Sequence, residues 1–236
     1  MGRIFEVRKS TMFARYDRMA KQFSRAGKEI AIAVKKGGPD PTNNPALRRV
    51  IQNAKGFNMP KDRIEAAIKN ALGKDTSNFD EVVYEGYAPH GIAVMVVTAT
   101  DNTTRTVANV RSHFNKGGGS LGNSGSVGFM FKQMGVFKLT PEGINLEDLE
   151  LELIDHGLEE IGEDSEGNII MRCGFVDFGN MQKALEDRNM TPLSSDVQWI
   201  PLNTVSITDE QSEDVFKLIE RLEQDDDVQQ VFHNMG

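Results

Sequence analysis

The chain has 236 residues, 39% apolar and 7% aromatic, which suits two or three cored domains and excludes wholesale disorder. One cysteine, Cys173, excludes an internal disulfide framework, and neither a membrane-spanning apolar run nor a signal-peptide pattern is present, so a soluble, cytoplasmic protein is expected. The net charge of -8 hides a split: residues 1–77 hold 17 Lys and Arg against 7 Asp and Glu, whereas residues 78–236 hold 10 against 28. Such an asymmetry points to a polyanion-facing head on an acidic body.

In chain order, GRIFEVRK reads as a basic arm, and a helix follows from about Thr11 to Lys36. Met12, Tyr16, Met19, Phe23, Ile30 and Val34 keep close to a helical period, and Gly37-Gly38 stops the run. Asn44 is placed to cap a second helix opened by Pro45, with Leu47, Val50, Ile51 and Ala54 inward and Gly56 as its end. Pro60 opens a third, with Ile64, Ala67, Ile68 and Ala71 on one face. A three-helix bundle results, and Lys74 to Asp80 reads as a linker.

The pattern then changes to period two. Val82–Tyr87 and Ile92–Ala99 read as strands, Thr103–Lys116 as a helix, and the alternating Val127, Phe129 and Phe131 as a third strand. Between these lies the glycine-rich run Gly117 to Gly125, expected to be a mobile connection: a phosphate loop would follow a strand and precede a helix. From Val136 to Pro201 the order is strand (Val136–Leu139), helix (Leu146–His156), strands (Glu159–Glu163, Ile169–Arg172), helix (Phe178–Asp187) and strand (Val197–Ile200). That βαββαβ order is ferredoxin-like. A strand at Val205–Ile207, a helix introduced by a Thr208/Gln211 capping box, and a strand at Val228–His233 complete the chain. The expected fold is therefore α+β and multidomain: a helical bundle (1–77), an α+β domain (78–133 plus 203–236), and an acidic ferredoxin-like domain (134–202) inserted in it.

Candidate chemistry is sparse. The four histidines, His90, His113, His156 and His233, are scattered without metal-ligand spacing, and Cys173 reads as a buried, inert thiol. No catalytic constellation, metal or cofactor is expected. The residues expected to meet nucleic acid are Arg8, Lys9, Lys35, Lys36, Arg48, Arg49, Lys55, Lys61 and Arg63 in the helical head. Asn102, Arg105 and Arg111 join them at the start of the Thr103–Lys116 helix, whose first turn offers free backbone donors.

Four blocks in order carry a family resemblance: GGPDPTNNPALRRVIQNAKGFNMPKDRIEAAIK, YEGYAPHGIAVMV, TATDNTTRTVANVRSHFNKGGGSLGNSGSVGFMF and LEQDDDVQQVFHN. Together they resemble the YebC/PmpR family, which includes the mitochondrial translational activator of cytochrome oxidase subunit I. The resemblance implies three domains, one inserted in another. It also implies a non-enzymatic regulator of gene expression, either a DNA-binding transcriptional regulator or a ribosome-associated translation factor that binds ribosomal RNA. The chain departs from many members at its start, where MGRIFEVRKSTMFARYDRMAK replaces an arm resembling GHSKWANIKHRK. Expected partners are DNA or ribosomal RNA and the ribosome, with no membrane and no small-molecule substrate. A third reading, from charge alone, is an adaptor whose acidic domains bind a basic protein.

Overall fold

The computed structural model describes residues 3–73 and 78–236, with side chains from Tyr16 onward. Helix α1 (Arg3–Gly37) is longer than its apolar period suggests, because the segment expected to be an arm continues it. Helices α2 (Pro45–Gly56) and α3 (Lys61–Ala71) follow, and both pack on α1. Ile30, Val34, Leu47, Val50, Ala54, Ile64 and Ala71 are buried in one core, with Phe23 stacked on Phe57 at 6.0 Å. These are the positions at helical spacing, so the period translates directly into the packed face. The three helices form a compact unit together with Thr98–Thr103 and Asp225–Gln229.

The second compact unit gathers Val83–Val97, Thr104–Gln224 and Gln230–Gly236. Its strands belong to two four-stranded sheets. The first sheet contains β1 (Asp80–Tyr87), β2 (Ala93–Thr100), β3 (Ser120–Leu121) and β8 (Val228–His233), ordered β3-β1-β2-β8. The second contains β4 (Phe131–Leu139), β5 (Leu158–Glu163), β6 (Ile169–Gly174) and β7 (Ser194–Pro201), ordered β5-β6-β4-β7 with every pairing antiparallel. Helices α5 (Leu146–Leu153) and α6 (Phe178–Asp187) supply Leu149, Leu153, Met181 and Leu185 to a core shared with Phe137, Ile169, Met171 and Cys173. Central strand β4 begins earlier than its apolar run, and Gly135 within it leaves no room for a side chain against the Phe178 ring of α6 and the Cys173 side chain of β6. A Cβ there would lie 2.6 Å from the Phe178 ring and 2.8 Å from Cys173 Sγ. Helices α4 (Thr103–Lys116) and α7 (Asp209–Glu223) bury Val110, Phe114, Val215, Leu218 and Leu222. The capping box at Thr208 is present in full.

Two expected strands are absent. Val205–Ile207 is reduced to one parallel bridge between Val205 and Met235. The alternation at Val127, Phe129 and Phe131 is not a strand either: Gly128–Met130 is a 3-10 turn, and Phe129 is 70% exposed. The cause is Glu85, whose carboxylate takes the N–H groups of Gly125, Val127 and Gly128, so a ladder cannot use them.

Candidate nucleic-acid interface

In the bundle, a buried asparagine sets the angle between the first two helices. Asn44 Oδ1 accepts from the Leu47 N–H at 3.0 Å, and Asn44 Nδ2 donates to the carbonyls of Ala33 and Gly38, both at 2.8 Å. The loop between them is closed by Arg48, whose Nη1 donates to Pro41 O at 3.1 Å and Thr42 O at 3.4 Å. Hydrogen bonds from the Thr42 backbone and side chain, with a smaller one from Asn43, hold the Asp40 carboxyl below its ordinary pKa. Arg48 is thus first a loop-holding residue, and both it and Arg49 are half-buried and already engaged.

The remaining expected cations divide in two. Lys35 donates to Asn78 Oδ1, and Lys61 faces Glu65 at 3.6 Å in an exposed i,i+4 pair. By contrast Lys36, Lys55 and Arg63, and also Lys69, which was not among the expected contacts, are exposed and have no ion-pair partner among the described residues. Lys36 sits in the last turn of α1 and Lys55 in that of α2, where a helix's negative end favours a cation. The side chains of Arg8 and Lys9 lie outside the described residues.

Helix α4 offers a second positive surface. It contains no Asp or Glu, and Thr104, Arg105, Ala108, Arg111 and Asn115 are all exposed at the spacing of one face. Thr106, Val110 and Phe114 anchor the opposite face in the core. Arg111 and Lys116 have no ion-pair partner among the described residues, whereas Arg105 is engaged. Asn102 is exposed, and its N–H donates to Thr100 Oγ1 at 2.9 Å. Phosphates suit such a face, since guanidinium and ammonium groups without carboxylates give up only counterions and water on binding.

Two structural residues escaped sequence reasoning. Glu85 is buried in β1, and its carboxylate accepts from Gly125 (2.7 Å), Val127 (2.8 Å) and Gly128 (2.7 Å). Burial pushes its pKa up, but those three donors together outweigh burial and leave it lowered. Far from a loose connection, the glycine-rich run is clamped at its end, with Gly125 supplying a left-handed turn at φ 85°. Lys28, half-buried on α1, donates to Ala99 O (3.1 Å), Asp226 O (2.7 Å) and Asp227 Oδ1 (2.8 Å), and its ammonium sits 5.4 Å from the Phe79 ring centre. The available signal was a charge at an inward position: Glu85 within the apolar alternation of β1, and Lys28 between Ala26 and Ile30 on α1.

Other titratable groups are structural in setting. Burial, with the nearby charges of Asp177 and Glu159, pushes the Cys173 thiol up to about 11, which keeps it protonated and unreactive. His90 Nε2 lies 3.3 Å from Asp214 Oδ2 and, with Lys217, lowers that carboxyl's pKa. Among the described residues no group of three or more His, Cys, Asp or Glu is placed to hold a metal ion, and no helix is long and apolar enough to cross a membrane.

The comparisons with known proteins agree along the whole chain. Residues 3–74 match the TACO1/YebC protein N-terminal domain, and residues 79–235 match the TACO1/YebC second and third domain. The chain belongs to the TACO1/YebC family. It is 59% identical over 240 residues to a probable transcriptional regulatory protein of Anaeromyxobacter dehalogenans, with both chains covered in full. It is 57% identical over 240 residues to one of Myxococcus xanthus, again with full coverage of both. A crystal structure of a conserved hypothetical protein, Aq1575 from Aquifex aeolicus, superposes with a TM-score of 0.81 at 39% identity, covering 92% of this chain and 90% of that one. The TACO1/YebC match therefore extends over the helices, both sheets and α4.

Proposed function

We propose that this TACO1/YebC protein is a non-enzymatic, nucleic-acid-binding regulator of gene expression that grips phosphates with its basic helical surfaces. The observation that carries this reading is the set of exposed cations without carboxylate partners among the described residues: Lys36, Lys55, Arg63 and Lys69 on the bundle, and Arg111 and Lys116 on α4. The names of the relatives, probable transcriptional regulatory proteins, support a role in transcription and make promoter DNA the first target to try. Lys35, Arg48, Arg49, Lys61, Asn102 and Arg105 border these cations in sequence and extend the contact, with Arg8 and Lys9 at the start of α1. Such contacts position the protein and select sequence weakly. The reading places the protein in the cytoplasm.

One observation favours ribosomal RNA as the second target. Residues 134–202 hold 15 acidic residues against 4 basic ones, a charge that repels a long duplex and suits a ribonucleoprotein with a protein face beside an RNA face. In the same reading the three domains are 1–77, 78–133 with 203–236, and 134–202, the last a ferredoxin-like insertion. The β5-β6-β4-β7 order, antiparallel throughout, supports that description.

The test is a fourfold variant, Lys36→Gln, Lys55→Gln, Arg63→Gln and Lys69→Gln, with binding measured on two unrelated DNA duplexes and one structured RNA. Affinity is expected to drop by about 100-fold at low salt on whichever polymer is bound, to the same degree on unrelated sequences. Unchanged affinity removes the bundle from the mechanism. Co-sedimentation of the native protein with ribosomes, set against recovery on promoter DNA, separates the two targets.

A further inference from the structure

Helix α5 and the 3-10 turn that extends it, Ile154–His156, bury one side in the second sheet's core through Leu149 and Leu153. On the opposite side, where a solvated helix carries polar residues, Leu151 is 72% exposed and Ile154 is 53% exposed. At 100° per residue these two define the centre of the outer face, with Glu147, Asp148, Glu150 and Asp155 around them. All four carboxylates are exposed, and none has an ion-pair partner among the described residues. Glu152, at the edge of the face, is held by Arg188 Nε at 2.9 Å.

The neighbouring turn adds to the surface. Gly157, in the left-handed region at φ 91°, packs directly against the Asp177 side chain and brings the turn Phe175–Asp177 to the end of the helix. In that turn Val176 is 86% exposed and Phe175 50%. A single exposed leucine needs no explanation. Two apolar pairs at adjoining ends of elements, beside the four carboxylates of α5 and its extension that have no ion-pair partner among the described residues, make a surface shaped for something apolar and positive.

We infer that the outer face of α5, centred on Leu151 and Ile154, is a docking surface for a basic amphipathic helix of another protein. The apolar pair fills the partner's hydrophobic stripe, and Glu147, Asp148, Glu150 and Asp155 meet its lysines and arginines. Charge selects the class of partner: nucleic acid and acidic membranes are repelled here, and an acidic protein gains nothing. The inference is independent of phosphate binding by the bundle, so either stands if the other fails.

The test uses the full chain and two synthetic peptides of identical Lys/Leu composition, one with leucines at helical spacing and one scrambled. Binding is followed by calorimetry and by amide-shift mapping. The helical peptide is expected to shift the amides of 147–156, and to bind the wild type at least about 10-fold more tightly than the Leu151→Ser, Ile154→Ser double variant. Phe216→Ser, which removes an exposed apolar side chain on α7, should leave that affinity unchanged. Equal binding of the two peptides, or full affinity in the double variant, overturns the proposal. So does sedimentation showing self-association of the chain that the double variant abolishes, because the occupant is then a second copy. Both replaced residues are exposed, and an unchanged melting curve confirms that the variant is folded.

Discussion

The helical bundle and the sheet unit of β4 to β7 handle charge in opposite ways. In the second sheet unit, Phe131–Pro201, four of the five basic residues are committed: Lys132 to Glu159, Lys138 to Asp164 and Glu166, Arg172 to Glu160, and Arg188 to Glu152. In the bundle four exposed cations have no carboxylate to answer them among the described residues. The lesson is that net charge alone says little. In the proposed function a surplus becomes a binding surface where the structure leaves it unneutralised, and the inferred docking face on α5 applies the same rule to negative charge.

The comparison breaks most severely where a cation of the bundle unit is not spare at all. Lys28 and Asp227 face each other at 2.8 Å with side chains only 13% and 7% exposed. Lys28→Met leaves a buried carboxylate without its cation and is expected to cost about 3–5 kcal/mol in denaturant unfolding. A loss below 1 kcal/mol, read the same way, means that the pair is dispensable.

Next comes the carboxylate that is buried rather than surplus. Glu85→Ala strands three backbone donors and is expected to cost about 3 kcal/mol, with faster hydrogen exchange at Gly125, Val127 and Gly128. Because its folded pKa is lowered from 4.5, the stabilisation by Glu85 is complete above that value and is lost as pH falls through the folded one. The stability gap between wild type and Glu85→Gln should therefore narrow on acidification below about 4.5. A gap that does not change with pH contradicts the ionised clamp.

The smallest effect belongs to the exposed pairs of the second sheet unit. Arg188→Ala removes the contact to Glu152 and a 3.0 Å hydrogen bond to Ala184 O, at an expected cost of about 0.5–1 kcal/mol. A larger loss, in the same unfolding assay, shows that this pairing is structural rather than a neutralised surface.

What was legible in the sequence was local. The Asn44 cap, the Thr208–Gln211 box and the bounds of α6 at Phe178–Asp187 follow from neighbours within four residues, and the structure keeps all three. Glu85 and Lys28 were hidden because their partners lie about 40 and 199 residues away. The two-residue strand β3 was hidden too, since a pairing of Gly86 with Leu121 and Tyr87 with Ser120 leaves no periodic trace. The cations of the bundle were all visible, but which of them are spare was not. Arg48 looked like a phosphate contact, yet its guanidinium spans the Pro41–Thr42 carbonyls of its own loop.

The central claim is that spare cations of the bundle exchange counterions for phosphates, and the salt dependence of binding tests it most directly. For a DNA duplex, the slope of log affinity against log salt is expected to flatten by about 3 when Lys36, Lys55, Arg63 and Lys69 are all changed to Gln. A slope identical to that of the wild type contradicts the account, because those four side chains then touch no phosphate.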